Sequence, residues 1–166
     1  MANKDKIPKG WRVCKLGEVF TIERGGSPRP IEDFITKDVN GINWIKIGDT
    51  RDAVKYIHTT KEKIKPEGAK RSRMVYEDDF LLSNSMSFGR PYIMKTTGCI
   101  HDGWLVLRKN EAIDSNYLYY ILSSPSLYQQ FSNLAKGSTV KNLNIEAVKQ
   151  ATIKFPDLSE QIAIVT

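Results

Sequence analysis

Cysteine is scarce: the 166-residue chain has two, Cys14 and Cys99, each in an apolar, strand-like setting. Two such thiols suggest no disulfide framework, and a reducing cytoplasm is the simplest setting for them. Histidine is equally rare, with only His58 and His101. Cys99 and His101 are the one Cys/His pair close in sequence, and they read as same-side residues of one strand. A structural zinc site needs about four ligands, so the expectation is no metal, a buried Cys99 and a hydrogen-bonded His101. No apolar run approaches the length of a membrane span. The opening MANKDKIPKGW carries charge with no apolar stretch behind it, so it does not read as a secretory leader.

Catalytic signatures are missing as well. The chain has no Gly-rich phosphate loop ending in Gly-Lys-Ser/Thr, no G-x-G-x-x-G and no G-x-S-x-G. It lacks the Asn-Pro-Pro-aromatic motif of adenine methyltransferases, and no acidic residue has a lysine two positions later, as metal-dependent nucleases would. Glu77, Asp78 and Asp79 precede an apolar strand and read as a turn with solvated charges. His101 beside Asp102 could form a proton-transfer pair, yet no Ser or Cys nucleophile is tied to it by sequence.

What is present is positive charge and an ordinary core. Lys and Arg number 25 against 19 Asp and Glu, for a net charge of +6. That balance permits a polyanionic partner without demanding one. Hydrophobic residues are 40%, enough for one globular domain at this length. WRVCKLGEVF reads as a strand running into a helical turn, with Leu16, Val19 and Phe20 at helical spacing. INWIKIGD reads as a strand covered on both sides, Ile42 and Trp44 on one face and Ile45 and Ile47 on the other. Pro66 to Gly68 reads as a break. DDFLLS and PYIM read as strands around NSMSFGR, and CIHDGWLVLR as one more. Helices dominate afterwards: DSNYLYYILSS, then SPSLYQQFSNLAKG with Ser124 as cap, Pro125 at the first helical position and Gly137 as stop, then a short LNIEAVKQA helix. The apolar set of the second is Leu127, Tyr128, Phe131 and Leu134. TIKFP closes as a strand with Ile153 and Phe155 on one side. The fold class is mixed α/β (α+β): a twisted, mostly early β-sheet and late helices.

Four loop stretches share one composition: a cation, small hydroxyl residues and, in most, a Gly or Pro bend. They are ERGGSPRP (Arg24, Ser27, Arg29), GAKRSR (Lys70, Arg71, Arg73), NSMSFGRP (Ser85, Ser87, Arg90) and AKGSTVKN (Lys136, Ser138, Thr139, Lys141, Asn142). Arg and Lys neutralise phosphate and release counterions. Ser, Thr and exposed backbone N–H groups bond phosphate oxygens, and Arg or Asn can fork onto base edges in the major groove. Each loop taken singly reads first as a solvated turn. Convergence on one face would be informative, and sequence alone does not show it.

Four segments, in order, carry a resemblance. IPKGWRVCKLGEVFTIERGGSPRP has a Pro-x-Gly-Trp, then Leu-Gly-Glu, then a Gly-x-x-Pro loop; INWIKIGD follows. DDFLLSNSMSFGRPYI is an apolar strand, a hydroxyl-rich Gly turn and a further strand. GSTVKNLNIEAVKQATIKFPDLSEQIAIV ends in Pro-x-Leu-x-Glu-Gln-x-x-Ile. Together they resemble the target recognition domain of the specificity subunit of type I restriction–modification enzymes. The resemblance runs from about Ile7 to Thr166, and its closing segment is the most specific part. It implies a DNA-reading domain over residues 1–156 and the start of a truncated spacer helix over 157–166. It also implies no catalytic activity and no cofactor on this chain. Its partners would be double-stranded DNA, a modification subunit that methylates adenine with S-adenosylmethionine, a restriction subunit and a second recognition domain, with no membrane.

The last residues leave two readings open. Asp157 with Glu160 three residues on resembles a capping box ahead of Ile162, Ile164 and Val165. So short a helix is marginal in water. It either packs on the domain or is the stump of a longer helix whose apolar face meets another helix. That apolar face also supports a different class of function, a protein-interaction module without DNA readout. A small enzyme with a diffuse site is the third class.

Overall fold

The computed structural model describes residues 6–84, 89–136 and 142–166. Among these residues there are twelve strands and six α-helices. In chain order they are β1 (Arg12–Lys15), α1 (Leu16–Val19), β2 (Phe20–Arg24), β3 (Ile35–Thr36), β4 (Ile42–Ile45), β5 (Tyr56–Ile57), β6 (Glu62–Ile64), α2 (Pro66–Ala69), β7 (Arg73–Val75), β8 (Phe80–Ser83), β9 (Pro91–Met94), β10 (Gly98–Ile100) and β11 (Trp104–Lys109). The later part holds α3 (Ser115–Leu122), α4 (Pro125–Leu134), α5 (Ile145–Gln150), β12 (Thr152–Phe155) and α6 (Leu158–Val165).

The early strands form two five-stranded sheets, ordered β2-β11-β8-β9-β5 and β3-β6-β4-β10-β7, and β1 pairs with β12 as a separate antiparallel ribbon. Burial explains the layering. In β11, Leu105 and Leu107 point into a core shared with Leu16, Val19, Tyr117, Leu118, Phe131 and Val148 of the helices. Trp104 and Val106 point the other way, into a core shared with Ile45, Val75 and Ile100 of the second sheet. A strand buried on both faces shows no polar alternation, which is why WLVL reads as a continuous apolar run. Beyond the second sheet lies a third cluster, with Trp44, Ile64 and Cys99 under Phe34 and Met74. The two-faced reading of INWIKI holds, since Trp44 and Ile42 join this outer cluster while Ile45 and Ile47 join the inner one.

Several local expectations change on folding. Phe20 opens β2 instead of continuing the helical turn, because its register pairs with Lys109 of β11. Pro66 does not break the chain; it occupies the first position of α2, where a missing N–H costs nothing. In α4, Leu127 and Phe131 are buried, but Tyr128 and Leu134 stay exposed, so the apolar stripe is narrower than its spacing suggested. Ser124 caps α4 and accepts from the Leu127 N–H; the stop expected at Gly137 lies outside the described residues. Asp114 caps α3 in the same way, through the Tyr117 N–H.

The largest difference is in CIHDGWLVLR. It is two strands in two sheets, β10 and β11, joined by a turn at residues 101–103. Cys99 and His101 therefore do not share a strand face.

Candidate functional site

The 101–103 turn is where the predicted loops meet. Gly25 N–H donates to the Trp104 carbonyl (2.9 Å) and Gly26 N–H to the Ile100 carbonyl (3.1 Å), so the first basic loop lies across this turn. Asp102 then collects its side chains. Ser27 Oγ donates to Asp102 Oδ1 at 2.9 Å, Arg29 reaches Oδ2 at 3.4 Å, and Arg24 Nε donates to the Asp102 backbone carbonyl at 3.1 Å. The second loop joins through Ser72, whose hydroxyl donates to the Ile100 carbonyl at 3.2 Å. Arg73 Nε donates to the Arg24 carbonyl at 3.2 Å.

The third and fourth loops attach to the same turn through Asn84, a buried side chain. Its Nδ2 donates to the Asp102 carbonyl (2.8 Å) and its backbone N–H to the Gly103 carbonyl (3.0 Å). Its own carbonyl accepts from Leu143 N–H at 2.7 Å. Arg90 lies directly opposite, its backbone paired with Ser83 at the end of the β8–β9 hairpin. Asn142 shares a small hollow with Arg24 and Asn84. Arg24, Ser27, Arg29, Arg73, Arg90 and Asn142 are thus gathered around one turn. Arg71, next to Ser72, is exposed and stacks over the Phe34 ring at 5.5 Å. Lys70 and Lys136 are exposed and no described contact ties them to the turn; Lys136 instead bonds Asn133 of α4 at 3.1 Å. Ser85, Ser87, Ser138, Thr139 and Lys141 lie outside the described residues.

Charge is arranged unevenly across this face. Arg73 is engaged by Glu23 at 2.7 Å, and Glu23 also binds Arg108 at 2.6 Å, while Arg108 reaches Asp79 at 3.3 Å. This network joins β2 and β11 to the neighbourhood of β7, so Arg73 is a positioning cation. Asp79 is part of it and is no longer a solvated turn residue; Asp78 stays in the turn, with a left-handed backbone and a surface contact to Lys95. A cleft of about 720 Å³ beside the turn is lined by Arg29, Trp44, Lys46, Glu62, His101 and Asp102, with charges of both signs.

His101 and Asp102 do not form a proton relay to Ser27. Ser27 donates to the carboxylate, and the His101 ring faces backbone: Gly103 N–H lies 2.7 Å from Nδ1 and Ile47 N–H 3.2 Å from Nε2. Burial lowers the His101 pKa from its ordinary value, with the Asp102 charge opposing. Burial alone would raise the Asp102 carboxyl. The Ser27 hydroxyl and the backbone N–H outweigh it, with help from His101 and Arg29, and hold the carboxyl below the usual carboxylate range. Among the described residues no group of His, Cys, Asp and Glu is placed to hold a metal, and both cysteines are unpaired.

Sequence reasoning missed the turn itself. The signal was present, because Asp102-Gly103 is a turn dipeptide. The apolar residues on either side hid it inside an apparent single strand.

Comparison with known proteins follows this geometry. Residues 8–166 match the model of the type I restriction modification DNA specificity domain. The MjaIX type I restriction enzyme specificity subunit of Methanocaldococcus jannaschii is 26% identical over 165 residues, covering 97% of this chain and 38% of that protein. The HsdS subunit from Thermoanaerobacter tengcongensis superposes with a TM-score of 0.77 at 23% identity, covering 99% of this chain and 38% of that one. A chain from a structural study of type I R-M complex assembly gives 0.78 at 24% identity, covering 99% and 39%. The chain spans about two-fifths of the length of these relatives. At such identities the structural likeness establishes the mixed α/β fold, while the match over residues 8–166 establishes the family. The relatives are specificity subunits, the non-catalytic components of their systems, and this chain belongs to the type I restriction modification DNA specificity domain family.

Proposed function

We propose that this chain binds duplex DNA sequence-selectively, reading one half of a bipartite target for a type I restriction–modification complex in the cytoplasm. It carries no catalytic step and no cofactor of its own. Methylation of adenine with S-adenosylmethionine belongs to the modification subunit, and cleavage to the restriction subunit. One observation supports this above the rest: basic stretches scattered from residue 24 to residue 142 meet at the 101–103 turn. Arg24 and Arg29 are the base-reading candidates, since Arg forks onto guanine, and Arg90 suits a phosphate contact. Ser27, Lys70, Arg71 and Asn142 suit phosphate and sugar contacts that fix register. Ser85, Ser87, Lys136, Ser138, Thr139 and Lys141 are further DNA-contact candidates on their chemistry alone.

Selection from randomised duplexes by the purified protein tests this. The expected result is enrichment of one short, contiguous half-site, with affinity falling steeply as salt rises. Random duplexes recovered without enrichment would contradict the readout.

A protein-interaction role has one specific observation in its favour. Leu158, Ile162 and Ile164 of α6 are all more than 40% exposed. Leu158 and Ile162, one turn apart, form a face that suits a second helix, and in the proposed complex it is the seat of a second recognition domain or of a modification subunit. A gel shift at low salt separates the two roles, since an interaction module alone leaves duplex DNA unshifted.

A further inference from the structure

Apart from the 720 Å³ cleft there is a smaller one, of about 280 Å³, against Trp104. It is lined by Ile47, Gly48, Thr50, Arg51, Ser83, Arg90, Tyr92 and Trp104. Three features set it apart. Its lining holds two arginines and no carboxylate. Several other cations among the described residues sit against acids, as Arg29 does on Asp102, Lys46 on Glu62 and Arg73 on Glu23. Arg51 and Arg90 are exposed, and no carboxylate lies within ion-pair reach of either among the described residues. Arg90 instead lies over the Tyr92 ring, 5.6 Å from its centroid, which fixes one wall. The third feature is Trp104: it is completely buried, and its indole N–H has no hydrogen-bond partner among the described residues. A buried donor without an acceptor is costly and rare in native proteins, and on a residue lining this cleft it serves as a reporter of what enters.

Cations without anions define what would fit. A neutral or cationic ligand would leave both guanidinium groups uncompensated, whereas a tetrahedral oxyanion accepts from two guanidinium forks together. The geometry points to this cleft as a phosphate site, taking one phosphodiester of a duplex backbone. The duplex as the source rests on the function proposed above; free inorganic phosphate is the other source of the same chemistry. The cleft sits one residue beyond Gly103, and Ile47 bridges it to His101, so a phosphate there fixes the register of the base-reading loops. Arg51 was absent from the sequence reading because TRDA carries neither glycine nor proline and matched none of the basic loop stretches.

The test is a ¹H–¹⁵N titration of the whole chain, following the sequentially assigned Trp104 indole resonance, first with inorganic phosphate and then with a duplex. The duplex is expected to move this resonance. Arg51→Gln and Arg90→Gln should each weaken duplex binding about tenfold and lower the salt slope by about 1, with amide dispersion reporting that both variants fold. Phosphate that moves Trp104 when no duplex binds supports the oxyanion site and removes the function proposed above. Duplex that moves other resonances but not Trp104, with an unchanged salt slope in Arg51→Gln, overturns the site and leaves that function standing. A Trp104 resonance unmoved by either ligand also overturns it.

Discussion

His101 faces more donors than it can serve. A neutral imidazole has one acceptor nitrogen, and both Gly103 N–H and Ile47 N–H point at the ring. The shorter contact, 2.7 Å, assigns Nδ1 as the acceptor. Protonation removes that acceptor and places charge in a buried site. Burial accordingly lowers the folded-state pKa below the ordinary 6.5, against the opposing pull of Asp102 and Asp49 and with the help of Lys46. The unfolded chain then holds more protons than the folded one just below 6.5, so stability rises with pH there and falls on acidification. Thermal melting between about pH 7.5 and pH 5.5 should show this decline, and His101→Gln should flatten it; an equally steep decline in the variant contradicts the assignment. Asp102 stays ionised across that window, because its pKa lies below the ordinary 3.8. Gly25 is a second position where a single residue decides. A Cβ there would fall 2.0 Å from the His101 carbonyl oxygen, a backbone atom that cannot move aside. Gly25→Ala should cost about 2–3 kcal/mol, read by chemical denaturation, as the first loop is forced off the turn.

α6 shows how one element serves both readings of its sequence. Asp157 caps it through the Glu160 N–H, as the spacing indicated. The reciprocal arm goes elsewhere: Glu160 accepts from the Trp11 indole at 3.2 Å and tethers the N-terminal segment. Gln161 is buried, accepting from the Asp114 N–H and donating to the Pro156 carbonyl, both at 2.9 Å. The helix thus packs on the domain through Gln161 and Val165 and leaves Leu158, Ile162 and Ile164 outside. Gln161→Leu should destabilise by about 2 kcal/mol, because two backbone groups lose their partners; a loss under about 0.5 kcal/mol would show that water replaces them. At this scale much was legible. Caps at Ser124 and Asp157, the β8–β9 hairpin and the alternation of β12 all follow from local chemistry. The split between β10 and β11 was not legible, since both halves are apolar and only partner strands distinguish them. The division into two sheets was hidden for the same reason, and so were the partners of Arg73 and Asp79, which come from strands far away in sequence.

For the whole molecule, a central sheet carries helices on one face and a second sheet on the other. The turn that crosses between the sheets organises one end of the structure. Local composition identified the basic loops, and long-range hydrogen bonds to residues 101–103 bring them together. The opposite end offers an internal control. β11 runs from Trp104 at the turn to Lys109, about 17 Å away at 3.3–3.4 Å per residue. Arg12 pairs with Glu111 just beyond that far end.

The most direct measurement is duplex affinity against salt concentration, by fluorescence anisotropy with the selected half-site and with random duplex, for Arg24→Gln, Arg29→Gln, Arg71→Gln and Arg12→Gln. The expected result is a salt slope reduced by about 1 in Arg71→Gln, a lost preference for the half-site over random duplex in Arg24→Gln and Arg29→Gln, and no change of either kind in Arg12→Gln. Equal slopes in all four, or a loss at Arg12 as large as at the turn, would contradict a DNA-reading face built on residues 101–103.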